Sequence, residues 1–336
     1  MNESLFSAGP HSDAQAPVLI HYLHGAIDAG AACRLAMLQM FDATVVGRVA
    51  TFNSDELVDY RSSRPVATVR DWTLTKVDTA EIALELASDL EGNPFLILHG
   101  PEPDFRWEAF AEQVRVFAQQ AGVKKAISLM SVPAAVPHTR PTRVHLTSTD
   151  LRDEDDTLPE ISLMSVATST SMFLQERLAH CSEIESVGLV TSVPYYLHET
   201  EYFPAASELI QAIGQMGGLS LPVGDLQAAA HQARTEIETG LQENEELSGL
   251  VKMLEERFDS IVAAHDESIE TPSTSFEDTA IPSADEIGHS LESFLRFEQD
   301  RKEKTQKPAE KSRFPRRPRR DPRLSGEGDE TPSESS

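Results

Sequence analysis

Four apolar stretches, each running straight into a polar loop, constrain this chain more than any other feature. PVLIHYLHG (17–25), FLILHG (95–100), VKKAISLMSV (123–132) and SVGLVTSVPYYL (186–197) are short, rich in aliphatic and β-branched residues, and bounded by Gly or Pro. Such runs suit buried strands. Amphipathic segments separate them. AGAACRLAMLQM (29–40) reads as a helix behind the first strand, and Trp107, Phe110, Val114, Phe117 and Ala118 recur at helical spacing before Gly122. Strands alternating with helices argue for a layered α/β domain with a mainly parallel sheet.

The remaining segments fit this frame. TVVGRVATF (44–52), PVATVRDWTLTKV (65–77) and TRVHLTST (142–149) read as further strands. TAEIALELASDL (79–90) suits either helix or strand, and the turn signal DLEGNP ahead of FLILHG favours a hairpin. Helices are expected over 169–180 and 204–216, the second with proline in its first turn. After GGLSLPVGD the texture changes, and 225–240 and 243–260 read as a charged helical hairpin. The expected organisation is a flexible N-terminus (1–16), an α/β domain (17–219), the helical hairpin (220–262) and a disordered tail (263–336). The tail is rich in Ser, Thr, Pro and charge and poor in large apolar residues.

Charge narrows the partners. Residues 261–336 hold 17 acids and 12 bases, so the preceding 260 residues carry −21 of the formal −26. A body this acidic repels phosphate backbones and anionic lipid heads and favours basic partners. Two cysteines, Cys33 and Cys181, fit buried thiols in a reducing compartment. The sequence offers no apolar window of membrane-spanning length and no secretory leader, so a cytoplasmic protein is expected. One tail segment, KSRFPRRPRRDPR (311–323), places seven bases within thirteen residues. It could pair weakly with nucleic acid or an acidic surface, or serve solubility alone; otherwise no nucleic-acid partner is expected.

In an open parallel sheet, ligands bind where loops leave the carboxyl ends of the strands. Four loops carry polar, ionisable residues there: His24 and Asp28; His99, Glu102 and Asp104; His138, Thr139 and Arg140; and Tyr195, His198, Glu199 and Glu201. His24, His99, Glu102, Asp104, His138, Thr139, Arg140 and His198 form the candidate pocket, with the four histidines expected at a single rim. Each has a plainer reading too. Asp104 could cap the following helix, the prolines of GPEPD could merely stiffen a corner, and His24 and His198 could be hydrogen-bonded under loops. Pro133, Pro137 and Pro141 brace the loop holding His138 beside Arg140, an arrangement suited to anion or carboxylate recognition. Glu102 with His99 or His138 could act as an acid/base pair. Phosphate-loop, nucleophile-elbow, dinucleotide and zinc patterns are missing, so no cofactor and no metal are expected.

Taken in order, FLILHGPEPDFRWEAF, PAAVPHTRP, PYYLHETEYFPAA and the segment from LPVGDLQAAA to LEERFD resemble the bacterial branch of the proteasome assembly chaperone 2 family. The resemblance covers about residues 15–260. It implies a three-layer α/β/α fold with a mixed, mainly parallel sheet like that of nucleoside phosphorylases, plus a C-terminal helical hairpin. It also implies a homo-oligomer, with a trimer as one form; together with the helical hairpin and the missing catalytic patterns it leads to the expectation of a non-catalytic assembly-chaperone-like scaffold, with a proteasome-related protein among the candidate clients. The alternative is a small-ligand-binding or phosphorylase- or hydrolase-like enzyme using the strand-end pocket.

Overall fold

The computed structural model describes residues 5–148, 167–242 and 245–268. Its centre is an eight-stranded sheet in the order β1-β3-β6-β7-β2-β8-β10-β9. The four apolar stretches become β2 (Val18–His24), β7 (Pro94–Pro101), β8 (Lys125–Ala134) and β10 (Glu185–Pro194), which lie side by side and parallel. Both faces of β2 are covered, so Val18, Leu19, Ile20 and Leu23 are all buried. Each such side chain contributes roughly 1.5–3 kcal/mol by leaving water. Strands β1 (Phe6–Ala8), β3 (Val45–Phe52), β6 (Ile82–Ser88) and β9 (Val144–Ser148) extend the sheet antiparallel at its two sides. The 79–90 segment is therefore the strand arm of a β6–β7 hairpin, as its turn signal favoured.

Helices cover both faces. α1 (Ala32–Thr44) and α5 (Phe203–Gly217) pack together on one face, and α3 (Trp107–Gln120) and α4 (Thr170–Ala179) on the other. The second layer closes around Phe110, Val114, Phe117, Leu174 and Leu178 against Leu19, Leu23, Leu96 and Leu98. This is the three-layer α/β/α arrangement. α6 (Gly224–Gln242) and α7 (Glu245–Ser268) follow as the expected charged helices, with α7 running eight residues past the sequence estimate of 260. No helix among the described residues is long and apolar enough to cross a membrane.

Two expectations change. Residues 5–16, read from composition as flexible, include edge strand β1, and Leu5 and Ala16 are buried. Residues 65–77, read as one strand, form a separate two-stranded hairpin, β4 (Val66–Arg70) and β5 (Thr73–Asp78). The chain reverses at Asp71 and Trp72, both in the left-handed region at φ 49° and 60°. Two successive left-handed residues are what a tight hairpin with right-twisted strands requires. Every residue of β4 and β5 is exposed. The basic run at 311–323 and the tail from 269 onward lie outside the described residues.

Candidate functional site

Because β7, β2, β8 and β10 are parallel and in register, their carboxyl ends share one edge of the sheet. The loops leaving them interlock. Glu102 N–H donates to His24 O at 2.8 Å, joining the β7 and β2 loops. Ser131 Oγ on β8 donates to Asp28 Oδ1 at 2.8 Å. Gly30 N–H donates to His198 O at 2.7 Å, and Tyr202 N–H returns to Gly30 O at 2.8 Å. His138 and Tyr196 link the remaining pair of loops.

Asp28 is the hub of this edge. Its carboxylate accepts from the Cys33 and Arg34 N–H groups at the start of α1, from Tyr22 OH at 2.7 Å, and from Ser131 Oγ. Burial first, then the adjacent Asp28 carboxylate, push the Tyr22 phenol far above its ordinary value. Tyr22 and Ser131 carry no local sequence signal; they lie inside strands and reach Asp28 only through the fold.

Glu102 is half-buried, and its Oε1 accepts from Thr170 N–H, the first residue of α4, at 2.5 Å. Burial raises its pKa, an effect opposed by the bond from Thr170. A Cβ added at Gly25, where φ is 141°, would approach Glu102 to 3.3 Å, so this loop leaves space for the carboxylate. The Glu102 partner is thus a helix N-terminus, rather than His99 or His138. His24 is exposed beside it, and partial burial lowers its pKa.

His138 is almost wholly buried. Its backbone N–H donates to Tyr196 OH at 2.9 Å, and the ring Nδ1 lies 2.7 Å from the same oxygen. The phenol oxygen thus bridges the backbone and the ring of His138, which leaves Nε2 as the ring's other polar atom. That Nε2 is buried without a hydrogen-bond partner. Desolvation lowers the His138 pKa, while Glu238 and Glu255 pull it upward. Beside it, Thr139 Oγ1 donates to Glu255 at 2.5 Å, and Arg140 forks onto Asp259 while touching Glu255 at 3.2 Å. Arg143 stacks over Phe258 at 4.8 Å. The proline-braced loop is thus covered by one turn of α7, a partnership invisible in sequence because more than a hundred residues intervene.

His99 and Asp104 take other roles. β7 runs through Gly100 and Pro101, so His99 lies within the strand, its ring packed on Phe41 of α1 and 3.8 Å from the buried Glu85. Burial lowers its pKa, with Glu85 opposing. It belongs to a polar cluster with Arg48 and Glu85 on the α1 face, away from the rim. Asp104 does not cap α3, whose N-cap position is Arg106 with no side-chain bond; its carboxylate accepts from Asp59 N–H instead. His198 holds Tyr195 O through Nδ1 at 2.6 Å. A polar groove of about 310 Å³ lies between α5 and α6, lined by Ser207, Glu208, Gln211, Gln227 and Arg234. Among the described residues no group of three or more His, Cys, Asp or Glu side chains could hold a metal ion.

Known proteins resemble this chain along most of its length. The model of the PAC2 family matches residues 22–240. The Mycobacterium tuberculosis protein Rv2714, of unknown function, is 37% identical, with 78% of this chain and 91% of that one covered at a TM-score of 0.71. A Corynebacterium glutamicum protein of unknown function is 32% identical, covering 78% of this chain and all (100%) of its own at 0.71. The Mycobacterium tuberculosis proteasome-assembly chaperone homologue Rv2125 shares the fold at 20% identity, 70% and 99% coverage and a TM-score of 0.61. No curated protein matches.

Proposed function

This chain belongs to the PAC2 family, and from that premise we propose that it is a cytoplasmic, non-catalytic interaction scaffold of assembly-chaperone type that works as a homo-oligomer. The observation that carries this reading is the β4–β5 arm. Trp72 at its tip is 100% exposed, and Val66, Val69, Leu74 and Val77 are 50–66% exposed. Apolar groups this exposed on a two-stranded ribbon mark an interaction surface, since such a ribbon alone in water is marginal. The arm suits a second copy of this chain. Residues 61–78 carry Arg61, Arg64, Arg70 and Lys76 against Asp71 and Asp78, a small positive excess in a chain whose net charge is −26. A basic, aromatic-tipped arm is complementary to that acidic body. The fold shared with Rv2125 supports a client related to proteasome assembly.

Sedimentation of the purified full chain tests the assembly. The wild type should associate, and Trp72→Ala should shift it toward monomer with an unchanged circular-dichroism spectrum. A monomeric wild type, or a variant that associates equally well, would sink the reading. For the client, native mass spectrometry of proteasome subunits from the same cell, mixed with the chain, should find faster ring formation; an unchanged rate would remove the proteasome from the proposal.

One observation favours the alternative of a small-ligand pocket: the buried His138 Nε2 has no hydrogen-bond partner. Thermal-shift measurements with nucleosides, phosphate and sugar phosphates address it, because a ligand that binds only the folded state raises the melting temperature. His138→Ala should abolish any rise, and a flat response throughout would dismiss the pocket.

A further inference from the structure

Every residue of β4 and β5 is exposed, so packing along the arm does little to set its direction. What orients it is its root. Ser54 Oγ donates to Ala80 O at 2.8 Å, closing the base where the chain leaves and returns. α2 (Ser54–Leu57) follows directly, with Leu57 and Val58 buried in the α3-side core. A turn centred on Asp59 then begins the arm, its Oδ1 accepting from Arg61 N–H and its backbone O from the Ser62 and Ser63 N–H groups.

This root is held by the loop after β7. Asp104 N–H and Phe105 N–H both donate to Leu57 O, at 2.7 and 3.2 Å. Asp59 N–H donates to Asp104 Oδ2 at 2.6 Å. Arg106, in the left-handed region at φ 61°, reaches Glu56 Oε2 through Nη1 at 2.6 Å. The Asp104 carboxylate is committed to the arm root, and the start of α3, with Arg106 at its N-cap position, has no side-chain cap. Pro101 and Pro103 stiffen the loop, and at its other end Glu102 is tied to α4 and His24.

We infer that residues 101–106 are the seat that aims the arm, with Asp104 and Arg106 as positioning residues for self-association. This rests on the reading of the arm as the surface that docks on a second copy. An arm free to swing loses orientational entropy on docking, whereas a seated one has already lost it. The seat therefore governs association strength without touching the partner.

Sedimentation equilibrium of full-length wild type, W72A, D104A, D104N and R106A tests this, with melting temperature and hydrogen exchange recorded for each. D104A and R106A should each raise the dissociation constant about tenfold or more and speed exchange over residues 54–64. D104N should stay close to wild type, because its amide oxygen still accepts from Asp59 N–H. If D104A also lowers the melting temperature sharply, R106A alone decides. If W72A dissociates while D104A and R106A associate as the wild type does, the seat is wrong and the arm reading stands. If W72A itself associates normally, both fall.

Discussion

Arg140 and Asp259, 119 residues apart, meet in a two-point contact, Nε to Oδ1 at 2.7 Å and Nη2 to Oδ2 at 2.6 Å. The hydrogen bonds to Asp259 raise the guanidinium pKa, with Glu255 adding to the effect. The pair is solvent-accessible, so it orients α7 more than it stabilises the fold. Arg140→Ala should speed hydrogen exchange over residues 251–262 while leaving the sheet protected. Arg140→Lys should fall between, because an ammonium cannot fork onto a carboxylate. Equal exchange in all three proteins would show that Val251 and Leu254, both buried, hold the helix unaided.

His21 predicts acid sensitivity. It is fully buried on β2, neither ring nitrogen has a hydrogen-bond partner, and desolvation lowers its pKa to about 3. In the unfolded chain it would titrate near its ordinary value of 6.5. Below that value the unfolded state binds a proton that the folded state refuses. Stability is therefore complete above about pH 6.5 and falls by about 1.4 kcal/mol per pH unit toward pH 3 from this group alone. His99 and His138, lowered by burial, act in the same direction. Urea unfolding at successive pH values should show the midpoint falling below pH 6.5, less steeply in His21→Met. A variant with the wild-type slope would refute the assignment.

The parts of the fold legible in sequence are those whose burial leaves a compositional mark. β2, β7, β8 and β10 are covered on both faces and so read as continuous apolar runs. The arm did not read as a hairpin because its turn is Asp71-Trp72, with no glycine or asparagine to mark the left-handed pair. His99 reads as a loop residue because Gly100 and Pro101 resemble a turn, yet both pair within the sheet. For Asp104 a local rule, capping, lost to a tertiary contact with Asp59. The α7 contacts of Thr139 and Arg140 had no signal at all, since periodicity says which face of a helix is polar and nothing about what it meets.

Gly100 should tolerate no side chain. Its φ is 133°, and a Cβ there would lie 2.4 Å from Glu81 O and 2.7 Å from Ile82 Cα. Those atoms are backbone of the neighbouring strand and cannot rotate aside. Gly100→Ala should cost about 3 kcal/mol from backbone strain and overlap together, read as a lowered urea midpoint. Gly92→Ala makes the control: its φ is 90°, but no atom lies within 4 Å of the added Cβ. Similar losses in the two would mean that strain alone operates at Gly100.

Asp28 and Tyr22 should prove energetically coupled. The Asp28 carboxylate caps α1 through the Cys33 and Arg34 N–H groups and accepts the Tyr22 proton. Asp28→Ala removes the cap, about 1 kcal/mol, and strands a largely buried hydroxyl, about 1–3 kcal/mol more. Ser131 Oγ is less affected, since Ala29 O remains as a second acceptor at 2.8 Å. Tyr22→Phe leaves Asp28 with three donors and should cost only about 1 kcal/mol. In the double variant no hydroxyl is stranded, so its loss should be smaller than the two single losses combined by about 1 kcal/mol or more. Denaturant unfolding of the four proteins measures the difference. Strict additivity would mean that the Tyr22 hydroxyl finds water once Asp28 is gone, and that this edge of the sheet is open to solvent.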